Sequence, residues 1–370
     1  MKIVFVCHDA NLTGAPKVGF EIARHLSYNN EVVMVVKKQG LLAQIPEYQD
    51  AFRIFNSNTS HEIEGPSKEE RSLIAMNFLQ KEKPDLLYVN SVASSDWCKE
   101  GKRLGIPVVL HSHEMKRELL SLESVGIFSS DLSLYVDLLI SVSPDAEDDI
   151  ISLCSTPFKK IFLSTPGIDF MKLEKQAISE NYLRPMNFLN EEMPVGNPVL
   201  AMCGIASQRK GSDIFLQVAR KFPHLSFLWI GPWSRREAPG NIALSEFEKS
   251  PLPNFYMTNE TLNPYPYFAL TDLFILTSRE DPNPLVLMEA LLLCKLCMGF
   301  SNTGGSKDLL TRFGLLLQGS VDVDRIVSIV EKIQFPLTVK FVNQDQTERF
   351  RMEYDIKYIA QSIEEQLVFL

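Results

Sequence analysis

The chain is expected to fold as two doubly wound α/β domains, each a parallel sheet with helices on both faces. Three observations predict this. The 370 residues are too many for one compact core and suit two. Short apolar runs alternate with longer amphipathic segments almost from end to end. Several of those runs are nearly continuous in Val, Ile and Leu, which is the pattern of a parallel strand covered on both faces.

The strand-like runs of the first half are 2–7, 31–36, 85–90, 107–111, 137–141 and 160–164. Between the first two, Val18, Ile22 and Leu26 recur every four residues after Pro16, giving a helix with one apolar stripe. These units make a first domain of residues 1–168. The pattern stops in a polar stretch with Pro185, Pro194 and Gly196 and no convincing strand, so 169–196 reads as an irregular linker. It begins again at 198–203, 226–231, 254–258, 272–278 and 295–300, giving a second domain of 197–349. Residues 348–370 read as a closing helix with no strand after it.

Composition limits the function classes. At 45% hydrophobic and 22% charged residues the chain is globular, neither disordered nor fibrous. Thirty-seven basic against 46 acidic residues give a net charge of −9, which argues against nucleic acid as a partner. No run approaches the ~18–20 apolar residues of a membrane span. The opening segment is too soon polar for a signal peptide, and the six cysteines are scattered in apolar runs, so a reducing, cytoplasmic setting is expected.

Ligands of open parallel sheets bind beyond the carboxyl ends of the strands, and two such domains suggest a cleft between them. The informative residues therefore follow strands. After the first comes a loop through Gly14 and Ala15 that opens a helix, whose unpaired N–H groups and positive dipole end favour an anion. A nicotinamide site is disfavoured, because G-x-G-x-x-G is absent and Lys37 and Lys38 stand where an acid is needed. In the second half, Arg209-Lys210-Gly211 at a strand–helix junction suits a diphosphate, Arg as a forked donor and Lys as a compact charge.

The strongest signal is 278–290 (SREDPNPLVLMEA). Asp281 and Glu289 are carboxylates with seven residues between them, and Glu289 falls in an apolar helix start after Pro284 and Leu285. A carboxylate there is costly unless it binds something, such as a pair of sugar hydroxyls. The plainer alternative is an acid favoured by the helix dipole.

These segments resemble the glycosyltransferases of family 4, which are retaining, metal-independent enzymes of the GT-B fold that use nucleotide sugars. The resemblance covers most of the chain. It includes Gly14-Ala15, 109–114 (VLHSHE), 165–169 (TPGID), Arg209-Lys210-Gly211, 263–267 (NPYPY), 272–274 (DLF), 278–290 and the Thr303-Gly304-Gly305 turn. It implies two Rossmann-like domains facing a cleft, with 350–370 returning to the first domain. Glu289 would hold the donor ribose, and Asp281 with the N–H groups that follow it would hold the transferred sugar. Asp281 is taken as the first member of the family's acidic pair, with Glu280 as the alternative. Arg209 and Lys210 would meet the diphosphate. A His near the reacting carbon would be His113, with His111 second. Departures are Ala15 for the commoner Gly, and Cys294 and Leu296 where relatives carry Gly and Pro.

Three features invite a metal and none supplies a full site. His111 and His113 share a strand face but lack a third ligand. Asp322-Val323-Asp324 spells D-x-D just before a helix at 325–333, where Asp324 reads as an N-cap. Cys294 and Cys297 form a C-x-x-C without a second pair. No metal and no cofactor is expected, the donor being a UDP- or GDP-linked sugar. The acceptor would be a glycan, a lipid-linked sugar or a small molecule, selected by variable loops at 90–97 and 115–128. The second loop mixes Lys116 and Arg117 with Leu119, Leu120, Ile127 and Phe128, which suits peripheral contact at an inner membrane surface. Two other readings of the architecture are a sugar-nucleotide epimerase and a catalytically silent partner subunit.

Overall fold

The computed structural model describes residues 1–60, 65–178, 184–187, 189–233, 250–258, 260–335 and 344–370. The chain divides into two compact units, Met1–Gly167 with Glu353–Leu370, and Ile168–Met352.

The first unit is built on β1 (Lys2–Cys7), β2 (Glu31–Val36), β3 (Arg53–Asn56), β4 (Leu86–Asn90), β5 (Val108–Ser112), β6 (Leu138–Ser141) and β7 (Ile161–Leu163). They form one parallel sheet in the order β3-β2-β1-β4-β5-β6-β7. Val4, Val6, Leu87 and Val89 are wholly buried on its central strands. Each such side chain contributes about 1.5–3 kcal/mol on leaving water. The sheet winds outward from β1 through β2 to β3, then reverses and winds the other way from β4.

The second unit repeats the plan with β8 (Met186–Asn187), β9 (Val199–Cys203), β10 (Ser226–Ile230), β11 (Phe255–Met257), β12 (Leu273–Ile275), β13 (Leu296–Phe300) and β14 (Leu315–Leu317). Their order is β14-β13-β12-β9-β10-β11-β8, and the winding reverses between β9 and β12. Every pairing is parallel except β8, which runs antiparallel to β11.

Several sequence expectations need correction. The stretch read as an irregular linker opens with helix Phe170–Ala177, capped by Asp169, whose carboxylate accepts from Lys172 N at 3.0 Å. It then supplies edge strand β8, so it is partly a piece of the second sheet. Its residues 179–183 and 188 lie outside the described set. The closing segment is two helices, Gln344–Tyr354 and Ile356–Leu367, because Asp355 leaves the helical path and caps the second by accepting from Lys357 N at 2.8 Å. Strands β3 and β14 also escaped the sequence reading.

Helix Ile356–Leu367 packs in the first unit beside helix Gly14–Leu26, where Asn30 Nδ2 donates to Glu364 at 2.8 Å. Gly167 lets the chain pass this helix. A Cβ at that position would lie 2.6 Å from Ile356 Cα. Lys37, at the end of β2, is buried and donates to both carboxylate oxygens of Asp96 at 2.8 and 3.0 Å. Among the described residues no helix is long and apolar enough to cross a membrane.

In the second unit, Asn254 lies just before β11, and its Nδ2 reaches the carbonyls of Ala219, Phe222 and Leu225 at 3.0–3.2 Å. Those C=O groups lie at and beyond the end of helix Ser212–Lys221, where Ala219 O and Phe222 O also accept from Phe222 N and Leu225 N. Asn254→Ala removes this buried donor shared by three carbonyls, and should lower unfolding free energy by about 1–3 kcal/mol. Urea unfolding followed by circular dichroism checks this, and an unchanged midpoint would remove the assignment.

Candidate functional site

In the second unit three loops meet at the carboxyl ends of β9, β12 and β13. After β9 the chain runs to Gly211, which takes φ +69° and caps helix Ser212–Lys221. A Cβ at Gly211 would lie 2.0 Å from Thr277 O, so only glycine lets this turn press against the end of β12. Thr277 Oγ1 donates to Lys210 O at 2.9 Å, and Arg279 N donates to Arg209 O at 2.7 Å. The third loop joins through Asp281 N, which donates to Thr303 O at 2.7 Å, and Gly305 N, which donates back to Asp281 O at 3.1 Å.

On this frame sits a cluster of charges. Asp281 is buried, and its Oδ2 accepts from Lys210 Nζ at 2.6 Å and Ser278 Oγ at 3.1 Å. Burial works against its charged form, but the charges of Lys210 and Arg209 and those two hydrogen bonds outweigh it. The carboxyl is held below the ordinary aspartate range. Arg209 Nη1 donates to Glu280 O at 3.0 Å. Arg279 grips Asp213 with two bonds of 2.7 Å, which braces the first loop against the second.

Pro284 is the N-cap and Leu285 the first residue of helix Leu285–Leu292. Glu289 is the fifth residue of that helix, past the first turn where the dipole acts most strongly, so the dipole explanation loses force. It is buried among apolar neighbours, and Tyr265 Oη donates to its Oε1 at 3.2 Å. Sequence reasoning quoted Tyr265 as part of a motif and missed this contact. Glu280 is half-buried, and it is Asp281 that joins the cationic cluster.

In the first unit the corresponding point lies between β1 and β4. Gly14 and Ala15 are the first two residues of helix Gly14–Leu26. Asn90, the last residue of β4, is wholly buried and donates from Nδ2 to Ala15 O at 2.9 Å. Its Oδ1 lies 2.9 Å from His113 Nε2. The rings of His111 and His113 lie against each other, tilted by 33° with centroids 4.2 Å apart, and His111 Nδ1 lies 2.9 Å from Tyr88 Oη. Burial pushes the His111 imidazole down to about 3. Burial, with His111 and His8 nearby, holds His113 well below the ordinary histidine range. Glu114 turns away, accepting from Ser91 Oγ, from Val92 N at 3.1 Å and from His113 N at 2.9 Å.

The segment 90–97, expected as a variable loop, is instead packed. Every residue in it except Asp96 is buried, because the Glu114 carboxylate and Ser91 Oγ cap the short helix Val92–Ser94. Of the apolar side chains expected at a membrane, Leu119, Ile127 and Phe128 are buried, leaving Leu120 exposed beside Val125, Lys116 and Arg117. The cap of the last D-x-D is Asp322, accepting from Arg325 N at 2.8 Å, with Asp324 inside the first turn of helix Val323–Val330. Among the described residues no group of three His, Cys, Asp or Glu side chains is arranged to hold a metal.

Solved structures share this architecture over the whole chain. HepE from Anabaena, solved in complex with UDP-glucose, superposes with a TM-score of 0.79 at 18% identity, with 100% of both chains covered. The fold is GT-B. Sucrose-phosphate synthase from Thermosynechococcus elongatus matches at a TM-score of 0.76 and 14% identity, over 99% of this chain and 98% of that one. WaaG, a glycosyltransferase involved in lipopolysaccharide biosynthesis, matches this GT-B chain at 0.69 and 14% identity, over 98% of each. No protein-family model matches the sequence, and no curated protein matches it.

The Asp281 cluster has a pH signature. Because folding holds this carboxyl below its unfolded value of about 3.9, its contribution is complete above that pH and is lost as pH falls through the lower, folded value. Asp281→Asn strands Lys210 and should remove on the order of 3 kcal/mol at pH 7. The deficit should shrink towards pH 3. Urea midpoints measured between pH 3 and 7 test it, and a deficit that stays constant would contradict the pairing.

Proposed function

We propose that this chain is a retaining glycosyltransferase of family 4, moving a sugar from a nucleoside diphosphate to a glycan, lipid-linked or small-molecule acceptor. The observation that carries the reading is the convergence of Arg209, Lys210 and Asp281 at the winding reversal of the second sheet, where open α/β sheets take their ligands. The binding of UDP-glucose by HepE, which shares the fold, supports a nucleotide-sugar donor.

Each residue then has a role. Arg209 and Lys210 meet the diphosphate and stabilise the charge it gains on departure, so the reaction runs without a divalent ion. Glu289, steadied by Tyr265, takes the ribose hydroxyls. Asp281 and the N–H groups beyond it hold the sugar. Gly14 and Ala15 border the loop after β1, and His113 belongs to the acceptor-side unit. The bond from the anomeric carbon to the diphosphate oxygen breaks through an oxocarbenium-like state. The acceptor oxygen bonds that carbon on the same face, and its proton passes to the departing phosphate oxygen.

Thermal unfolding with UDP, GDP and ADP in parallel tests this. One of them should raise the midpoint, by an amount equivalent to about 2.7 kcal/mol at a hundred times its Kd. Glu289→Ala should abolish the shift. No shift with any of the three, or a full shift in the variant, would overturn the reading. A panel of nucleotide sugars then separates transfer, which frees the diphosphate, from epimerisation and from no turnover. Transfer should survive EDTA.

A lipid-linked acceptor would bring helix Lys116–Ser124 to the cytoplasmic membrane surface through Leu120, Val125, Lys116 and Arg117. Co-sedimentation with anionic vesicles at low salt, reduced by Leu120→Asp, is the expected result. Failure to sediment removes the membrane part alone.

A further inference from the structure

We infer that Asn90 is a positioning residue that locks the neutral His113 imidazole as the tautomer protonated at Nε2, so that the neutral ring offers Nδ1 to a ligand as a hydrogen-bond acceptor. The argument needs no assumed hydrogen positions. Asn90 Nδ2 lies 2.9 Å from Ala15 O. A backbone carbonyl can only accept, so the amide nitrogen must face it. The same nitrogen lies 3.7 Å from Cys7 Sγ, a contact compatible with that orientation. The other end of the amide, Oδ1, is then the atom 2.9 Å from His113 Nε2. A carboxamide oxygen also only accepts, so Nε2 must carry the hydrogen. An amide flip would set two oxygens against each other at Ala15, so the Ala15 carbonyl alone decides the orientation.

The amide is held in place sterically. Helix Gly14–Leu26 crosses it at Gly19, where a Cβ would lie 2.5 Å from Asn90 Nδ2 and 2.9 Å from Cγ. Glycine in a helix interior is unfavourable by about 1 kcal/mol against alanine, so its use here needs a reason, and room for the Asn90 side chain is one. The His113 main chain is fixed by its N–H to Glu114 Oε2 at 2.9 Å, and its ring lies against the tilted ring of His111. Among the described residues no side chain or backbone group bonds His113 Nδ1.

An imidazole protonated at Nε2 keeps its in-plane lone pair at Nδ1. That atom accepts from a hydroxyl or N–H and rejects a bare carbonyl or phosphate oxygen. If the function proposed above holds, the matching group is a sugar hydroxyl, and the proton needed by the departing phosphate cannot come from His113. This last step rests on that function, whereas the tautomer does not.

Two-bond ¹H–¹⁵N correlation spectra of histidine-labelled protein, with His113 assigned by the loss of its signals in His113→Gln, read the tautomer directly. The expected result for the ligand-free protein is a protonated-type shift at Nε2 and an unprotonated-type shift at Nδ1. An Nδ1–H tautomer or an even mixture overturns the inference. Asn90→Ala and Gly19→Ala, the second placing a methyl where the amide must sit, should each convert His113 to a mixture. If both fold and both retain a pure Nε2–H tautomer, Asn90 does not set it. With an active donor, Asn90→Ala should lower kcat by about tenfold while leaving the donor KM within about twofold. A pure Nε2–H tautomer in a protein that turns over no nucleotide sugar would sink the proposed function and leave this inference standing.

Discussion

Each sheet changes its winding direction once, between β1 and β4 in the first unit and between β9 and β12 in the second. At such a point the loops leaving the two neighbouring strands turn to opposite faces, so the backbone opens a crevice that no loop covers. The remaining features depend on this. Asn90 and the start of helix Gly14–Leu26 stand at one reversal, and Arg209, Lys210 and Asp281 at the other. Because these residues belong to loops, their mutual placement must come from bonds between loops. Those bonds are largely backbone in the second unit, running from Arg279 N to Arg209 O and from Asp281 N to Thr303 O. Gly211 makes the first possible, since any side chain there would drive the loop off Thr277.

The pairing of Lys210 with Asp281 gives the charged cluster a second property. The ammonium is already oriented by a buried carboxylate, so little side-chain entropy remains to be lost when an anion arrives. An arriving anion must also compete with that carboxylate for the same proton donor. Arg209 donates to a neutral carbonyl oxygen, that of Glu280, and its charge also acts on Asp281. The bidentate Arg279–Asp213 pair lies apart from this exchange and acts as a brace.

Much of this was legible in the residues, and the misses have physical causes. Continuous apolar runs such as 2–7 and 31–36 stand out because both faces of those strands are covered. Strand β3 is missed because it alternates between half-buried and exposed and contains Arg53 and Asn56, and β8 because two residues carry no period. Helix Phe170–Ala177 had a signal, Asp169 as cap with Phe170 and Leu173 buried three apart, which the surrounding polar residues obscured. Charged site residues are readable because a Glu within a leucine run, or Arg-Lys-Gly after a strand, conflicts with simple burial or simple exposure. Tyr265 and Asn90 conflict with nothing. Their importance comes from what they touch, and a sequence does not show touching.

The two reversal points differ in kind, and the difference follows from burial. In the second unit the groups are ionic and mutually compensated, so the carboxyl keeps its charge inside the protein. In the first unit the corresponding groups are imidazole, phenol and amide. There burial drives His111 and His113 to their neutral forms, and Glu114 is pushed upward despite its several donors. A neutral imidazole in such surroundings is defined by its tautomer and no longer by its charge. What a neighbour accepts or donates then decides what the ring can do. That places the chemical identity of His113 in Asn90, and the placement of Asn90 in a glycine of the preceding helix.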